Sequence, residues 1–155
     1  MLKIRDDKKV LVVDADVDYA NSIGNVLSKA GANLQIAHNT KNALELLRKF
    51  KPEVVIIDIR LDGRNGIDGG LSLIKEFRNI IPELFCIVAT SYPDSRLGEE
   101  SYQLGINYLL IKPCSPERIL YAVAKGIETL ENRYKLNLLK KLVKETQKLD
   151  PISIN

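Results

Sequence analysis

Four consecutive apolar residues that end in a carboxylate, residues 54–57 followed by Asp58, constrain the fold of this chain more than any other stretch. A short apolar run of this kind predicts a strand that is buried on both faces. In an open parallel sheet, the crevice for ligands lies at the carboxyl ends of the strands. The run therefore predicts that Asp58 stands at the mouth of a site.

Three further strand ends carry polar residues of the same kind. Residues 10–13 run into Asp14 and Asp16, residues 86–89 run into Thr90, and residues 108–111 run into Lys112. An aspartate after a strand commonly caps the next helix, and a lone Lys-Pro pair is common. Four such groups at strand ends within one chain nevertheless predict a shared site.

Apolar periodicity divides the chain into alternating strands and helices, with Gly31 ending the first helix and Thr40 capping the second. The glycine-rich residues 60–70 predict a long loop. This alternation predicts βαβ units and a parallel sheet that is covered on both faces. The predicted strands are 9–13, 34–37, 54–57, 85–90 and 107–111, and the predicted helices are 17–30, 40–51, 71–80, 95–104 and 116–149.

The last predicted helix is longer than a sheet of this kind needs. Ser115 and Pro116 form a strong helix start, and no proline follows until Pro151. A continuous helix over 116–149 is roughly 50 Å long at the usual rise of 1.5 Å per residue. Its apolar positions continue past the sheet and predict that another surface buries them: Ile119, Val123, Ile127, Leu130, Tyr134, Leu138 and Leu142.

The length of 155 residues predicts one domain with an appendage, which we divide into a domain over 1–128 and a helical extension over 129–155. The extension carries the whole net charge of +3, from six basic and three acidic residues. Charges spaced along a helix are typical of a solvated face, so we do not expect this chain to bind nucleic acid. No helix-turn-helix or catalytic domain fits after residue 128, so we expect a stand-alone regulator or the front part of a longer protein.

No apolar run reaches the ~18 residues that a membrane span needs, and the first residues lack a signal-peptide apolar region. We therefore expect a cytoplasmic protein with no membrane partner. Cys86 and Cys114 lack the paired spacing of a metal or redox motif, so we expect them to be reduced structural thiols.

The polar residues at the strand ends fit one kind of chemistry. Aspartates that converge can hold Mg²⁺, which prefers oxygen ligands. A divalent ion, a lysine and a hydroxyl around one carboxylate would neutralise the charge of a phosphoryl group arriving on it.

On these residues the chain resembles the receiver domain of response regulators in two-component signalling, over residues 8 to about 128. The motifs that carry the resemblance are 12–16 for the acidic pocket, 56–61 for the phosphoacceptor, 89–91 for the hydroxyl and 111–113 for the lysine. The resemblance implies a five-stranded, doubly wound parallel sheet of the flavodoxin-like class. It also implies a signalling domain that catalyses at most its own phosphorylation and dephosphorylation.

The same resemblance implies a role for each residue of the site. Asp58 would accept a phosphoryl group from a histidine kinase or phosphotransfer protein, Thr90 would hydrogen-bond it, and Lys112 would form an ion pair with it. Mg²⁺ would be held by Asp14, Asp58 and the backbone carbonyl of Arg60. The signal would then be relayed by a conformational change.

The sequence departs from the family pattern at three positions. Ala15 occupies the place of a second acid that is usually a metal ligand, and Asp16 is the acid that could compensate for it. Asp62 replaces a usual proline, in a loop that is longer than usual. Leu109 occupies the position of an aromatic that commonly switches inward, and its neighbour Tyr108 would face the other side of the sheet.

Two other functions remain open at this point. The sequence Asp14-Ala15-Asp16-Val17 also resembles the nucleophile motif of haloacid-dehalogenase-type phosphatases, but no acidic pair follows Lys112, and Asp58 would have no role. A receiver-like module that docks or dimerises without phosphorylation is favoured by Ala15 and Leu109. Whether or not the receiver is phosphorylated, the apolar residues over 127–149 predict a homodimer through the C-terminal helix.

Overall fold

The computed structural model describes residues 2–61, 68–91 and 95–149. Each predicted strand and helix is present, and the last helix has the predicted bounds. The strands are β1 Lys9–Val13, β2 Asn33–Ala37, β3 Val54–Asp58, β4 Phe85–Thr90 and β5 Tyr108–Ile111. The helices are α1 Val17–Lys29, α2 Thr40–Phe50, α3 Asp68–Ile80, α4 Ser95–Leu104 and α5 Pro116–Leu149.

The five strands form one parallel sheet in the order β2-β1-β3-β4-β5. The chain reverses its direction of winding between β1 and β3, where Val13 pairs with Ile57. Loops that leave this switch point open a crevice at the carboxyl ends of the strands. The predicted doubly wound fold is thus confirmed, and Asp14 and Asp58 lie on the two sides of the switch point.

Strand β3 is buried on both faces, as its apolar run predicts. Val55 and Ile57 belong to the core beneath α2, α3 and α4, whereas Val54 and Ile56 belong to the core beneath α1 and α5. Each of these four side chains is at most 1% exposed. Burial of a large aliphatic side chain contributes roughly 1.5–3 kcal/mol, so this strand holds both layers together and fixes Asp58 at its end.

Helix α3 begins at Asp68, so the prediction of a loop through Gly70 is wrong at its end. A Cβ atom at position 70 would lie 2.1 Å from the carbonyl oxygen of Ile59. The glycine therefore permits the helix to pass close to the end of β3, and it does not mark a flexible loop. Residues 62–67 of the predicted loop, including Asp62, lie outside the described residues.

The cap of α2 is also one residue earlier than predicted. Asn39 has extended backbone angles, and its side chain accepts a hydrogen bond from the backbone N–H of Asn42 at 2.8 Å. Asn39 therefore caps the helix, and Thr40 is its first residue. At the end of α1, by contrast, Gly31 has a φ of +105° and ends the helix as predicted.

Helix α5 covers the sheet with its first half and leaves it with its second half. Ser115 caps it by accepting a hydrogen bond from the N–H of Arg118 at 3.3 Å. Arg5 and Lys8 pair with Glu131 at 2.9 and 3.4 Å, where the helix leaves the domain. The division at residue 128 stays a prediction.

Among the described residues, no helix has both the length and the apolar character that crossing a membrane requires.

Candidate functional site

Lys112 joins the two aspartates at the switch point. Its Nζ lies 2.6 Å from Oδ2 of Asp14 and 2.9 Å from Oδ2 of Asp58. Lys112 follows β5, which is separated from β3 by β4, so its side chain reaches across the end of β4. Asp14 is 3% exposed, and the side chain of Lys112 is 10% exposed. Three residues from three different strand ends thus form one shielded cluster.

The carboxylates of Asp14 and Asp58 stabilise the positive charge of Lys112. Burial lowers the pKa of the Lys112 ammonium, but the hydrogen bonds and negative charges of Asp14 and Asp58 outweigh burial and raise it above its ordinary value. The lysine is therefore a cation in the site at neutral pH.

Asp14 is fixed by its own backbone as well as by Lys112. Its N–H donates to the carbonyl oxygen of Ala37 at 3.0 Å, and its Oδ1 accepts the N–H of Asp16 at 2.9 Å. His38 Nδ1 lies 2.9 Å from the carbonyl oxygen of Asp14, the geometry of a donated ring N–H. The carboxylate of Asp14 is consequently held in one orientation, toward Lys112.

Asp58 uses both carboxylate oxygens. Oδ2 accepts from Lys112, and Oδ1 accepts the backbone N–H of Arg60 at 2.9 Å. The Arg60 backbone therefore lies directly beside the carboxylate, whereas a role of its carbonyl oxygen as a metal ligand stays a prediction.

Thr90 is buried completely at the end of β4, between the strands that carry Asp58 and Lys112. Asp58 pairs in register with Ala89, the residue before Thr90, and the N–H of Lys112 donates to the carbonyl oxygen of Thr90 at 2.8 Å. Asp14, Asp58, Thr90 and Lys112 thus occupy the same edge of the sheet.

Asp16 does not join this cluster. It is exposed, and its side chain caps α1 by accepting the N–H of Tyr19 at 3.1 Å. The Asp16 carboxylate is therefore engaged with the first turn of α1, and compensation for Ala15 by Asp16 stays a prediction. Across residues 2–61, 68–91 and 95–149, no three aspartate, glutamate, histidine or cysteine side chains are grouped to hold a metal ion.

The remaining pair of carboxylates still fits a divalent cation. Oxygens of Asp14 and Asp58 both lie within 3 Å of one positive centre, the ammonium of Lys112. Mg²⁺ commonly binds through one or two carboxylates and keeps several waters. The two carboxylates therefore fit Mg²⁺, although they supply one negative charge fewer than a pocket with three acidic residues.

Two residues beside the cluster were not identified from the sequence. The ring centroid of Tyr19 lies 4.2 Å from Nζ of Lys112, and its hydroxyl lies 3.5 Å from Sγ of Cys114. Burial, the hydrogen bond to Cys114 and the charges of Asp14 and Asp58 raise the pKa of Tyr19. In the sequence, Tyr19 is one apolar position of α1, and no local pattern indicates that it meets residues after β5.

Leu109, which occupies the position of the usual aromatic residue, faces outward. Leu109 is 41% exposed, whereas Tyr108 lies on the other side of β5 and packs against Tyr121 with ring centroids 6.4 Å apart. The opposite orientation of these neighbours agrees with the prediction that Tyr108 does not replace the aromatic.

Comparison with known proteins gives consistent matches. The model of the response regulator receiver domain matches residues 10–124. Chemotaxis protein CheY of Thermotoga maritima is 30% identical over 119 residues, which are 76% of this chain and 96% of that protein. Sporulation initiation phosphotransferase F of Bacillus subtilis is 27% identical over 126 residues, 81% of this chain and 98% of that protein.

One solved structure aligns with a larger part of the chain than the receiver-domain model does. A response regulator protein from Burkholderia pseudomallei, solved with a phosphorylated aspartic acid, a calcium ion and citrate, superposes with a TM-score of 0.69 at 26% identity. The alignment covers 94% of this chain and 86% of that one.

Proposed function

The chain belongs to the response regulator receiver domain family, and on that premise we propose that Asp58 is the residue on which it accepts a phosphoryl group. Phosphorylation on an aspartate is the function of this family. The observation that carries the assignment is the contact of Lys112 with Asp58 at 2.9 Å, at the end of a doubly buried strand. A lysine in that place is positioned to pair with a phosphoryl oxygen.

The transfer follows from these contacts. An oxygen of Asp58 forms a bond to phosphorus while the bond from phosphorus to the donor breaks, and the donor leaves with that electron pair. Lys112 neutralises charge on the transferred group, and the Thr90 hydroxyl donates a hydrogen bond to it. The N–H of Arg60 keeps the other Asp58 oxygen in place.

Receiver domains generally bind Mg²⁺ at the phosphorylation site. In this chain we assign the ligands to Asp14, Asp58 and the backbone carbonyl of Arg60. When bound, the ion neutralises negative charge on the transferred group. Because Ala15 supplies no carboxylate and Asp16 caps α1, we expect weaker binding than in a three-acid pocket.

Receiver domains interact with histidine kinases or phosphotransfer proteins, and we assign the phosphoryl donor of this chain to that class. The family is a signalling domain and not a classical enzyme. A phosphatase function with Asp16 as the acid–base group is disfavoured, because that carboxylate is hydrogen-bonded to the first turn of α1. Self-catalysed phosphorylation and dephosphorylation remain part of the proposal.

Ala15 and the exposed Leu109 favour one second candidate, a docking module that works without phosphorylation. Mass spectrometry after treatment with acetyl phosphate and Mg²⁺ separates the two functions. We expect one added phosphoryl group on the wild type and on D16N, and none on D58N. An unmodified wild type would support the docking module, and equal modification of D58N would refute Asp58 as the acceptor.

We also assign the extension of α5 to self-association. Beyond Leu130 this helix exposes six large apolar side chains: Tyr134, Leu136, Leu138, Leu139, Leu142 and Val143. At about 100° per residue, their mean direction is about 150° around the helix from the side that Ile119 and Val123 turn to the sheet. Because these side chains are exposed and lie mostly away from the sheet, a second helix can contact them.

Of the six basic residues of the extension, Lys135 lies on the side of these apolar residues, whereas the other five lie on the opposite side: Arg133, Lys140, Lys141, Lys144 and Lys148. Most of the basic residues and the exposed apolar residues thus lie on different sides of the extension. A second copy of the same helix supplies the matching apolar face, and a two-fold pair is the commonest way to close it. The receiver domains then lie on the outer sides of the pair.

A further inference from the structure

Tyr19 is the only contact of the Lys112 ammonium, among those described, that carries no charge. Two of the three contacts are the carboxylates of Asp14 and Asp58, and the third is the Tyr19 ring at 4.2 Å. A lysine ammonium within about 6 Å of an aromatic ring is attracted by the negative face of the ring. This attraction is stronger where water is excluded, as it is around the largely buried Lys112 side chain.

Both ends of Tyr19 are fixed. Its backbone N–H donates to Asp16, and its hydroxyl hydrogen-bonds with the Cys114 thiol at 3.5 Å. Asp16 in turn donates its N–H to Asp14, and Cys114 lies two residues after Lys112. The ring is therefore attached to the loop that carries the acid and to the loop that carries the lysine.

We infer that Tyr19 is a positioning residue that holds the ammonium of Lys112 toward Asp58 while the site changes its charge. The inference rests on the proposed function. A phosphoryl group on Asp58 replaces one carboxylate partner of the lysine, and a divalent cation competes for the other, Asp14. Neither event alters the contact with the Tyr19 ring. This contact therefore limits the positions that the long and flexible Lys112 side chain can take.

Beryllofluoride, which occupies a phosphoryl position on a carboxylate, provides the probe. Its affinity in the presence of saturating Mg²⁺ is measured by ¹⁹F NMR titration. We expect Y19L to bind it about tenfold more weakly, in line with a desolvated cation–π contact. Y19F keeps the ring, and C114A keeps the whole tyrosine, so each should lose at most about threefold on the same scale.

A double-mutant cycle with K112M separates positioning from a general effect on the fold. In the K112M background, Y19L should cause no further loss of affinity, because the partner of the ring is gone. An equal loss in both backgrounds would overturn the inference, as would equal affinities of Y19L and the wild type. A loss in Y19F as large as in Y19L would also overturn it. If the wild type does not bind beryllofluoride at all, the proposed function itself fails.

Discussion

Lys112 and Asp14 are 98 residues apart in the chain, yet the ammonium of one lies 2.6 Å from the carboxylate of the other. The same ammonium reaches Asp58 at 2.9 Å, so a single positive charge separates two carboxylates. Removing one member of a buried ion pair is costly, because the charge left behind loses its partner. Lys112 therefore contributes to the resting structure as well as to the proposed transfer.

Replacing Lys112 by methionine should destabilise the protein and tighten its binding of Mg²⁺. Without the ammonium, Asp14 and Asp58 repel each other, and we expect a loss of about 3 kcal/mol in the free energy of unfolding, as for other broken buried pairs. A divalent cation can then take the place of the lysine. Urea denaturation with and without MgCl₂ measures both effects, and the exposed K41M is the matched control. A Mg²⁺ stabilisation no larger than in the wild type would contradict this prediction.

Replacing Ala15 by aspartate should strengthen the metal site. Two unit charges about 4 Å apart interact by roughly 4 kcal/mol near a protein surface, so an affinity gain of about tenfold is a modest expectation after solvent screening. Calorimetric titration with MgCl₂ measures it. D16N should leave the Mg²⁺ affinity unchanged, because that side chain caps α1. A large loss of affinity in D16N would show that Asp16 reaches the ion after all.

Cys86 should make the protein less stable as the pH rises above about 9. Burial raises the pKa of this thiol to about 11, with a smaller opposing effect of Arg78. The unfolded thiol loses its proton first, so the folded state binds more protons and stability falls with pH from about 9 to 11. The slope approaches about 1.4 kcal/mol per pH unit for one proton.

Denaturation curves between pH 9 and 10 test this effect. C86A should be less stable throughout but should lack this part of the slope. V88A, from the same buried strand, should be less stable and keep the slope. A slope in C86A equal to that of the wild type would assign the pH dependence to other groups.

The fold could be predicted because its signals are local. The apolar runs of β1, β3 and β4 are typical of strands buried on both faces, and Ser115-Pro116 sets the start of α5. Local signals also placed Asp14, Asp58, Thr90 and Lys112 at strand ends, and a parallel sheet brings those ends to one edge.

For Gly70 and Tyr19, a contact with a residue distant in the sequence decides the outcome. The glycine-rich sequence predicts a loop at Gly70, but this glycine lets α3 pass the carbonyl oxygen of Ile59. Asp16 differs from them, because a local contact, the hydrogen bond from the N–H of Tyr19, engages its carboxylate. The contact of Tyr19 with Lys112 and Cys114 depends on how α1 packs beside the loop after β5, which no sequence period encodes.

The apolar face of the extension should make the full chain a dimer. Each large side chain that leaves water contributes roughly 1.5–3 kcal/mol, and six are exposed along the extension. The seven-residue register is imperfect, so we expect a short, irregular pair in place of a long coiled coil. Light scattering at tens of micromolar should give a dimer for the full chain and a monomer for a chain that ends at Glu128.

Charge placed on the two sides of the extension tests the assigned face. L139K together with V143K puts two cations into the proposed contact and should give a monomer, since each buried charge would lack a partner. K140A together with K144A changes the basic side and should remain dimeric. Circular dichroism verifies that α5 stays helical in both variants. A monomeric wild type, or a dimer that survives the paired lysines, would refute this interface.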